Sequence, residues 1–126
     1  MTSKLILVID DEESIQKVVK LSLKLEANWE SICASSGREG FSQAQTQQPD
    51  AILLDVMMPE IDGIKTFEML NNNLQTQTIP VILLTAKTGT AEKRLFQKIG
   101  ATGVITKPFN PLTLASHMAR LLGWRL

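Results

Sequence analysis

Five short apolar runs, spaced along the whole chain, constrain its fold more than any other feature of the sequence. They lie at residues 5–9, 31–34, 51–54, 81–84 and 103–106. Apolar runs of four or five residues without alternation are typical of strands that are buried on both faces of a sheet. The run at 31–34 is the least apolar of the set. The pattern predicts five strands of a parallel sheet.

Amphipathic segments between these runs predict five helices, because apolar residues recur there at helical spacing. The predicted inner faces are Ile15, Val18, Val19 and Leu23 in the first helix, Phe41 and Ala44 in the second, Ile64, Phe67 and Leu70 in the third, Leu95, Phe96 and Ile99 in the fourth, and Leu112, Ala115, Met118 and Leu122 in the fifth. The order of elements is therefore strand, helix, repeated five times.

Start signals place the beginnings of four of these helices. Ser36 and Glu39 form the S-x-x-E pattern of a capping box ahead of the second helix. The third helix is predicted to open at residues 62–63, and the fourth in the region 88–90. Residues 110–111 are Asn and Pro, so the fifth helix is predicted to have Asn as its N-cap and proline as its first residue.

Strands that alternate with helices imply a parallel sheet covered on both faces with right-handed crossovers. We expect a doubly wound α/β fold of the flavodoxin-like (βα)5 type, with five parallel strands in the order 2-1-3-4-5. In such folds ligands bind at the carboxyl ends of the strands, near the point where the strand order reverses. That point lies between the first and third strands.

The composition is that of an ordinary globular domain, with 126 residues, 44% hydrophobic and 21% charged. We expect residues 1–126 to form a single domain with no output domain. Thirteen basic and thirteen acidic residues give a net charge of zero, which argues against nucleic acid or a membrane surface as a partner. Cys33 is the only cysteine, and no apolar run is long enough to span a bilayer, so a cytoplasmic location is expected.

Acidic residues follow two strands that neighbour each other in this order. Asp10 and Asp11 end the first strand, and Asp55 ends the third. Two carboxylates about 4 Å apart, at an effective dielectric constant near 20, repel by on the order of 4 kcal/mol. A cation relieves this repulsion, and hard oxygen ligands suit Mg²⁺. The sequence therefore predicts a magnesium site at this edge of the sheet.

A hydroxyl and an ammonium group are predicted at the same edge. Thr85 ends the fourth strand, and Lys107 follows the fifth. These groups suit a phosphoryl group, because Lys107 can pair with one phosphate oxygen and Thr85 can donate a hydrogen bond to another. Asp55 is then the natural nucleophile for attack on phosphorus.

Each of these residues has an ordinary structural interpretation when it is taken alone. Residues 10–13 form an acidic cluster of the kind that stabilises a helix N-terminus. Asp55 fits a turn after a strand, Thr85 fits a cap or turn, and residues 107–108 fit a loop. The functional interpretation depends on all of them occurring together at the ends of neighbouring strands.

Four segments give the chain a resemblance to the receiver domains of two-component response regulators. They are DDEE at 10–13, LDVMMPEIDG at 54–63, LLTAK at 83–87 and TKPF at 106–109. The separations of 44, 30 and 22 residues between Asp11, Asp55, Thr85 and Lys107 also resemble those of the family. The resemblance covers essentially the whole chain and includes stand-alone receivers of the chemotaxis type.

This resemblance implies a role for each residue of the predicted site. Asp55 is the implied phosphoacceptor, Asp11 and the backbone carbonyl of Met57 are direct Mg²⁺ ligands, and Asp10 reaches the metal mainly through water. Thr85 and Lys107 are implied to hold the phosphate, with a cis bond between Lys107 and the next proline. The implied activity is that of a signalling module that promotes only its own phosphorylation and dephosphorylation.

The resemblance also implies the partners. A sensor histidine kinase or a histidine phosphotransfer protein supplies the phosphoryl group, and an unidentified protein target reads the signal. One position departs from the family. Val104 occupies the place, three residues before Lys107, where the family often carries an aromatic ring that turns inward on activation. Valine has no such ring, so the resemblance leaves the readout unspecified.

Three other classes remain as alternatives. An aspartate-nucleophile phosphohydrolase places its nucleophile after the first strand with a second Asp two residues later, whereas Met57 follows Asp55 at that distance. A flavodoxin-like FMN carrier needs a phosphate loop after the first strand, where residues 10–13 are acidic and would repel the phosphate. An adaptor that works without phosphorylation has no need of the full set of acidic, Thr and Lys residues.

Overall fold

The computed structural model describes residues 3–58, 63–86 and 89–126. Within these ranges a single sheet of five parallel strands forms, in the order β2-β1-β3-β4-β5. The strands are β1 (Leu5–Ile9), β2 (Glu30–Ala34), β3 (Ala51–Asp55), β4 (Val81–Thr85) and β5 (Gly103–Thr106). The predicted strands and their order are confirmed, including the weak second strand.

Five helices connect and cover the strands. They are α1 (Glu13–Ala27), α2 (Gly37–Gln47), α3 (Gly63–Asn71), α4 (Thr90–Lys98) and α5 (Leu114–Leu122). One apolar cluster lies under α1 and α5, and a second lies under α2, α3 and α4. The fold is therefore the predicted three-layer α/β arrangement with helices on both faces of the sheet.

The central strands show why the apolar runs have no alternation. All five residues of β3 are buried, and Leu53 contributes to one cluster while Ile52 and Leu54 contribute to the other. Successive side chains of a strand point to opposite faces, so a strand with helices on both sides needs an apolar residue at every position. Only at the strand's carboxyl end does a polar residue, Asp55, appear.

Capping contacts mark the end of α1 and confirm the predicted start of α2. Asn28 ends α1 in the left-handed conformation at φ 57°; its N–H donates to the Lys24 carbonyl, and the Trp29 N–H donates to the Leu23 carbonyl. The Ser36 hydroxyl accepts a hydrogen bond of 3.2 Å from the Glu39 N–H at the start of α2. These contacts satisfy backbone groups that a helix end leaves unpaired.

The predicted start of the fifth helix is wrong, since α5 begins at Leu114 and not at residues 110–111. The Asn110 side chain accepts the Leu112 N–H at 2.9 Å, and its carbonyl accepts the Thr113 N–H at 3.1 Å, which makes a separate turn. The Glu26 carboxylate then accepts the Ala115 N–H at 2.8 Å and so caps α5 from α1. Leu112, predicted on the inner face, is 81% exposed.

Two other residues predicted on the inner faces of helices are close to half exposed. Val18 on α1 is 42% exposed and Leu95 on α4 is 45% exposed, because each lies at the margin of its helix's apolar face. The predicted start residues Asp62 and Thr88 lie outside the described residues, and α3 and α4 are described from Gly63 and Thr90. In the described ranges, no helix has the length and apolar character needed to cross a membrane.

Candidate functional site

The polar residues predicted to meet do lie together at the carboxyl edge of the sheet. Asp10 follows β1, Asp55 and Thr85 are the last residues of β3 and β4, and Lys107 follows β5. Asp10, Asp55 and Thr85 are buried, with 0%, 2% and 0% of their surface exposed. The sheet therefore places three polar side chains under the loops of one edge, away from bulk water.

The three acidic residues form a compact cluster. One carboxylate oxygen from each of Asp10, Asp11 and Asp55 lies within 4.8 Å of the other two. Asp11 is exposed, whereas the other two are buried, so the cluster opens to solvent on the Asp11 side.

Lys107 lies between the two buried carboxylates. Its Nζ is 3.4 Å from Asp10 Oδ2 and 3.4 Å from Asp55 Oδ2, and its side chain is 19% exposed. The Lys107 N–H donates to the Thr85 carbonyl at 2.8 Å, which fixes the start of the loop after β5. The peptide bond between Lys107 and Pro108 is cis, as the family resemblance implied.

Backbone N–H groups hold the other oxygen of each buried carboxylate. The Glu12 N–H donates to Asp10 Oδ1 at 2.9 Å, and the Met57 N–H donates to Asp55 Oδ1 at 3.0 Å. Among the described residues, Asp10 Oδ2 is buried and accepts no hydrogen bond, and Lys107 Nζ lies 3.4 Å away as its ion-pair partner. An oxygen in this state is available to a further cation.

The ionisation of these groups is shifted by their surroundings. Burial raises the pKa of Asp10 to about 6, with a further increase from Asp55, while the Glu12 N–H and Lys107 act in the opposite direction. Burial also raises the pKa of Asp55, against the Met57 N–H and Lys107. Burial alone would lower the pKa of Lys107, but the attraction of Asp10 and Asp55 outweighs it and the pKa is raised.

These residues fit a divalent cation. Among the described residues, three carboxylates face one ammonium group, so this cluster has an excess of negative charge when all of its members are ionised. Burial raises the pKa of both Asp10 and Asp55 in spite of Lys107, and Asp10 Oδ2 accepts no hydrogen bond from the described residues, so Lys107 does not fully offset the burial of the two acids. Hard carboxylate oxygens in an open cluster are the donor set that Mg²⁺ prefers.

Two residues outside the predicted site, Gln16 and Gly63, also shape it. The Gln16 amide on α1 donates to the Asp10 carbonyl at 2.6 Å and to Ser35 Oγ at 3.1 Å, which ties the loops after β1 and β2 together. A Cβ at Gly63 would lie 2.3 Å from the Asp55 carbonyl oxygen and 2.6 Å from Val56 Cα. Glycine at this position therefore lets α3 begin directly against the end of β3.

Comparison with known proteins agrees with this geometry. Residues 6–119 match the family described as the response regulator receiver domain. The chain belongs to this family. Receiver domains are the phosphoacceptor modules of two-component systems, and the match covers the strand ends that carry Asp10, Asp55, Thr85 and Lys107.

Relatives of this receiver domain include larger regulatory proteins. The chain is 38% identical over 120 residues to the alkaline phosphatase synthesis transcriptional regulatory protein PhoP of Bacillus subtilis, covering 95% of this chain and 49% of that protein. It is 34% identical over 122 residues to the phosphate regulon transcriptional regulatory protein PhoB of Pseudomonas aeruginosa, covering 97% and 53%. The chain thus spans about half the length of these relatives.

Solved structures include receiver domains of similar size. The chemotaxis response regulator CheY4 of Vibrio cholerae superposes with a TM-score of 0.87 at 34% identity, covering 95% of this chain and 99% of that one. A putative response regulator from Chloroflexus aurantiacus gives a TM-score of 0.87 at 30% identity, covering 97% and 99%. The predicted fold and the family resemblance are both confirmed.

Val104 lies on β5 opposite Leu83 of β4 and is half-buried. It packs against the buried apolar cluster that includes Phe96 of α4, and Ile99 and Ala101 pack against the same cluster. A branched aliphatic residue fixed in this packing has few rotamers available, so it offers no large side-chain rotation.

Proposed function

We propose that this receiver domain accepts a phosphoryl group on the Asp55 carboxylate and passes the signal on through protein contacts. The observation that carries the proposal is the cluster of Asp10, Asp11 and Asp55 oxygens within 4.8 Å, with Lys107 at 3.4 Å from two of these residues. Phosphoryl transfer requires positive charge around the transferred group and an oxygen nucleophile in line with it. Lys107 supplies positive charge, and the Asp55 carboxylate supplies the oxygen nucleophile.

Asp10, Asp11, Asp55 and the Met57 carbonyl would hold Mg²⁺. When bound, the ion supplies positive charge that offsets the negative charge of the transferred group. An Asp55 oxygen forms the new bond to phosphorus, while the bond from phosphorus to the donor's imidazole nitrogen breaks and its electron pair returns to that nitrogen. Lys107 pairs with one phosphoryl oxygen, and the Thr85 hydroxyl donates a hydrogen bond to another.

The donor in this proposal is a sensor histidine kinase or a histidine phosphotransfer protein. Because Asp55 is only 2% exposed, such a donor must cover the rim of the site to bring its phosphorus into contact. An apolar groove of about 460 Å³ runs from Lys107 and Phe109 to Ile15 and Val18 on α1, next to the acidic cluster. A donor that fills this groove gains burial of apolar surface beside the reacting groups.

The same proposal includes a cytoplasmic location and a protein target whose identity the site does not specify. A phosphoryl group adds about two negative charges at the edge formed by Thr85 and Lys107. Both residues begin loops that lead to α4 and α5, so a rearrangement of these loops changes the surface that a target can contact. With Val104 on β5, this change does not use rotation of an aromatic ring at that position.

Phosphorylation by acetyl phosphate tests the proposal. With Mg²⁺, the wild-type chain should gain one phosphoryl mass in an intact-protein mass spectrum, and peptide mapping should place it on Asp55. Removal of Mg²⁺ with EDTA should slow the gain by roughly tenfold or more. Asp55→Asn should gain none, whereas Glu68→Gln, an exposed acid on α3, should behave as wild type. Label at position 55 in the Asp55→Asn protein would refute the proposal.

A further inference from the structure

A second surface with a distinct chemistry lies between α1 and the edge strand β2. It is a groove of about 370 Å³, which we call the lysine groove, and it is lined by Lys17, Lys20, Leu21, Lys24, Trp29, Glu30 and Ser31. The groove lies beside β2 at the edge of the sheet, and it shares none of these residues with the acidic cluster. It is therefore separate from the proposed phosphoacceptor site.

The three lysines of the groove differ in their partners. Lys17 Nζ is 3.3 Å from Glu13, and Lys24 Nζ is 2.5 Å from Glu30. Lys20 is exposed and makes no ion pair with any residue in the described ranges. The Lys20 ammonium group is thus left for a ligand. The lysines on either side of it, Lys17 and Lys24, each already pair with a carboxylate of the chain.

Ser31 supplies an independent indication of a ligand. It lines the groove with 7% of its surface exposed, and its buried Oγ has no hydrogen-bond partner among the described residues. Buried hydroxyl groups are nearly always paired, because an unpaired one loses its hydrogen bonds to water without replacement. A ligand with an acceptor oxygen at this point would restore the missing hydrogen bond.

The backbone of β2 presents polar groups at the open edge of the sheet. The Glu30 N–H donates to the Lys4 carbonyl and the Ala34 carbonyl accepts from Asp10, so these residues direct their peptide groups toward β1. The N–H and C=O groups of the odd-numbered residues between them, Ser31 and Cys33, point to the open edge of the sheet. At Cys33 the Gln43 amide already occupies the edge carbonyl at 3.1 Å, whereas Ser31 lies at the part of the edge inside the groove.

The apolar part of the groove sets the other half of the ligand's chemistry. Leu21 is 60% exposed on α1, and the buried Trp29 contributes to the opposite side. A ligand that carried charge alone would leave this apolar surface in water. A segment with a carboxylate and a branched apolar side chain satisfies Lys20 and Leu21 at once.

We propose that the lysine groove binds an acidic segment of a partner protein, with a carboxylate at Lys20 and Ser31 and an apolar side chain against Leu21. Nucleic acid fits less well, because two of the three lysines are already paired and the chain has no net positive charge. This surface has no part in the proposed transfer to Asp55. It gives the receiver domain a second contact that phosphorylation chemistry does not require.

The test uses a fluorescein-labelled ten-residue peptide of Glu, Asp and Leu, added to the whole chain at low salt and followed by amide-resolved NMR and fluorescence anisotropy. Amide shifts should concentrate at residues 17–24 and 29–32. Lys20→Glu should weaken binding by about tenfold, since an attraction becomes a repulsion. Lys98→Glu, which reverses an exposed lysine on α4, should change the affinity by less than about twofold.

Ser31→Ala separates a binding role from a structural one. Removal of an unpaired buried hydroxyl should leave the melting temperature equal or higher. Peptide affinity should nevertheless fall by about threefold, because the hydrogen bond to the ligand is lost. Unchanged affinity in both Lys20→Glu and Ser31→Ala, or shifts centred outside the groove, would overturn the proposal.

Three further outcomes would also overturn it: tighter binding of a single-stranded oligonucleotide of matched charge, equal binding of a peptide in which lysine replaces the acidic residues, or self-association of the chain through the groove in sedimentation.

Acetyl phosphate labelling of Lys20→Glu distinguishes this proposal from the proposed function. If Asp55 is labelled normally while peptide binding fails, the lysine groove proposal fails alone. If labelling fails in the wild type while the peptide binds, only the phosphoacceptor proposal fails.

Discussion

The acidic cluster and the lysine groove both hold lysine beside carboxylates, but they do so in different surroundings. Lys24 and Glu30 are 2.5 Å apart and their side chains are 51% and 58% exposed. Lys107 is farther from its partners, at 3.4 Å, but the Asp10 and Asp55 side chains are only 1% and 2% exposed. Since water weakens a charge interaction far more than an extra ångström does, the longer contacts carry the larger energy.

The comparison predicts its largest effect for Lys107→Met in the metal-free protein. The substitution keeps most of the side-chain volume and leaves two buried carboxylates without their cation. Loss of one member of a buried ion pair typically costs about 3–5 kcal/mol. We expect a loss of this size in the free energy of unfolding, measured with urea at pH 8 in EDTA.

Lys98→Met is the matched control, since Lys98 is exposed on α4. It should leave the unfolding midpoint nearly unchanged. The effect of Lys107→Met should also shrink at pH 5, where Asp10, with a pKa of about 6, is largely protonated. Equal midpoints for Lys107→Met and Lys98→Met at pH 8 would show that burial does not strengthen the Lys107 contacts.

The next effect concerns the pH dependence that Asp10 contributes. Its pKa rises from 3.8 to about 6 on folding, so between these values the folded state holds more protons than the unfolded state. The resulting stability is present below about pH 4 and is lost as pH rises through 6. A shift of this size corresponds to on the order of 2–3 kcal/mol.

Asp10→Asn removes this ionisation. In EDTA the variant should be more stable than wild type at pH 8 by on the order of 2–3 kcal/mol, and the two should converge near pH 4. Mg²⁺ should stabilise wild type at pH 8 and stabilise the variant less, because binding to the folded state alone raises stability. Parallel stability profiles of the two proteins from pH 4 to 8 would contradict the raised pKa.

The sequence was sufficient to predict the strands and their order, because a strand between two helical layers needs apolar residues at every position. Val81–Thr85 and Ala51–Asp55 are buried throughout, and their pattern is unambiguous. The start of α5 was predicted wrongly for a physical reason. Asn110 and Pro111 favour a helix start and a turn about equally, and the choice is made by Glu26, which is 89 residues away from Ala115.

The site was predictable to the extent that it depends on strand ends. Parallel strands bring their carboxyl ends to one edge, so Asp10, Asp55 and Thr85 could be placed together without coordinates. No sequence signal predicted the contacts of Gln16 with the loops after β1 and β2, because a glutamine on a helix surface belongs to no motif of fixed spacing. The lysine groove was equally hidden, because the unpaired state of Ser31 depends on packing between α1 and β2.

The smallest effect belongs to the exposed pair, and it completes the comparison. Lys24→Met removes the partner of Glu30, as Lys107→Met removes the partner of Asp10. The Glu30 carboxylate, however, is exposed and stays hydrated when its partner is lost. We expect Lys24→Met to lower the free energy of unfolding in urea by only a small fraction of the loss caused by Lys107→Met. Added salt should remove even this small loss. A loss comparable to that of Lys107→Met would mean that contact distance, and not exclusion of water, sets the energy of lysine and carboxylate pairs in this fold.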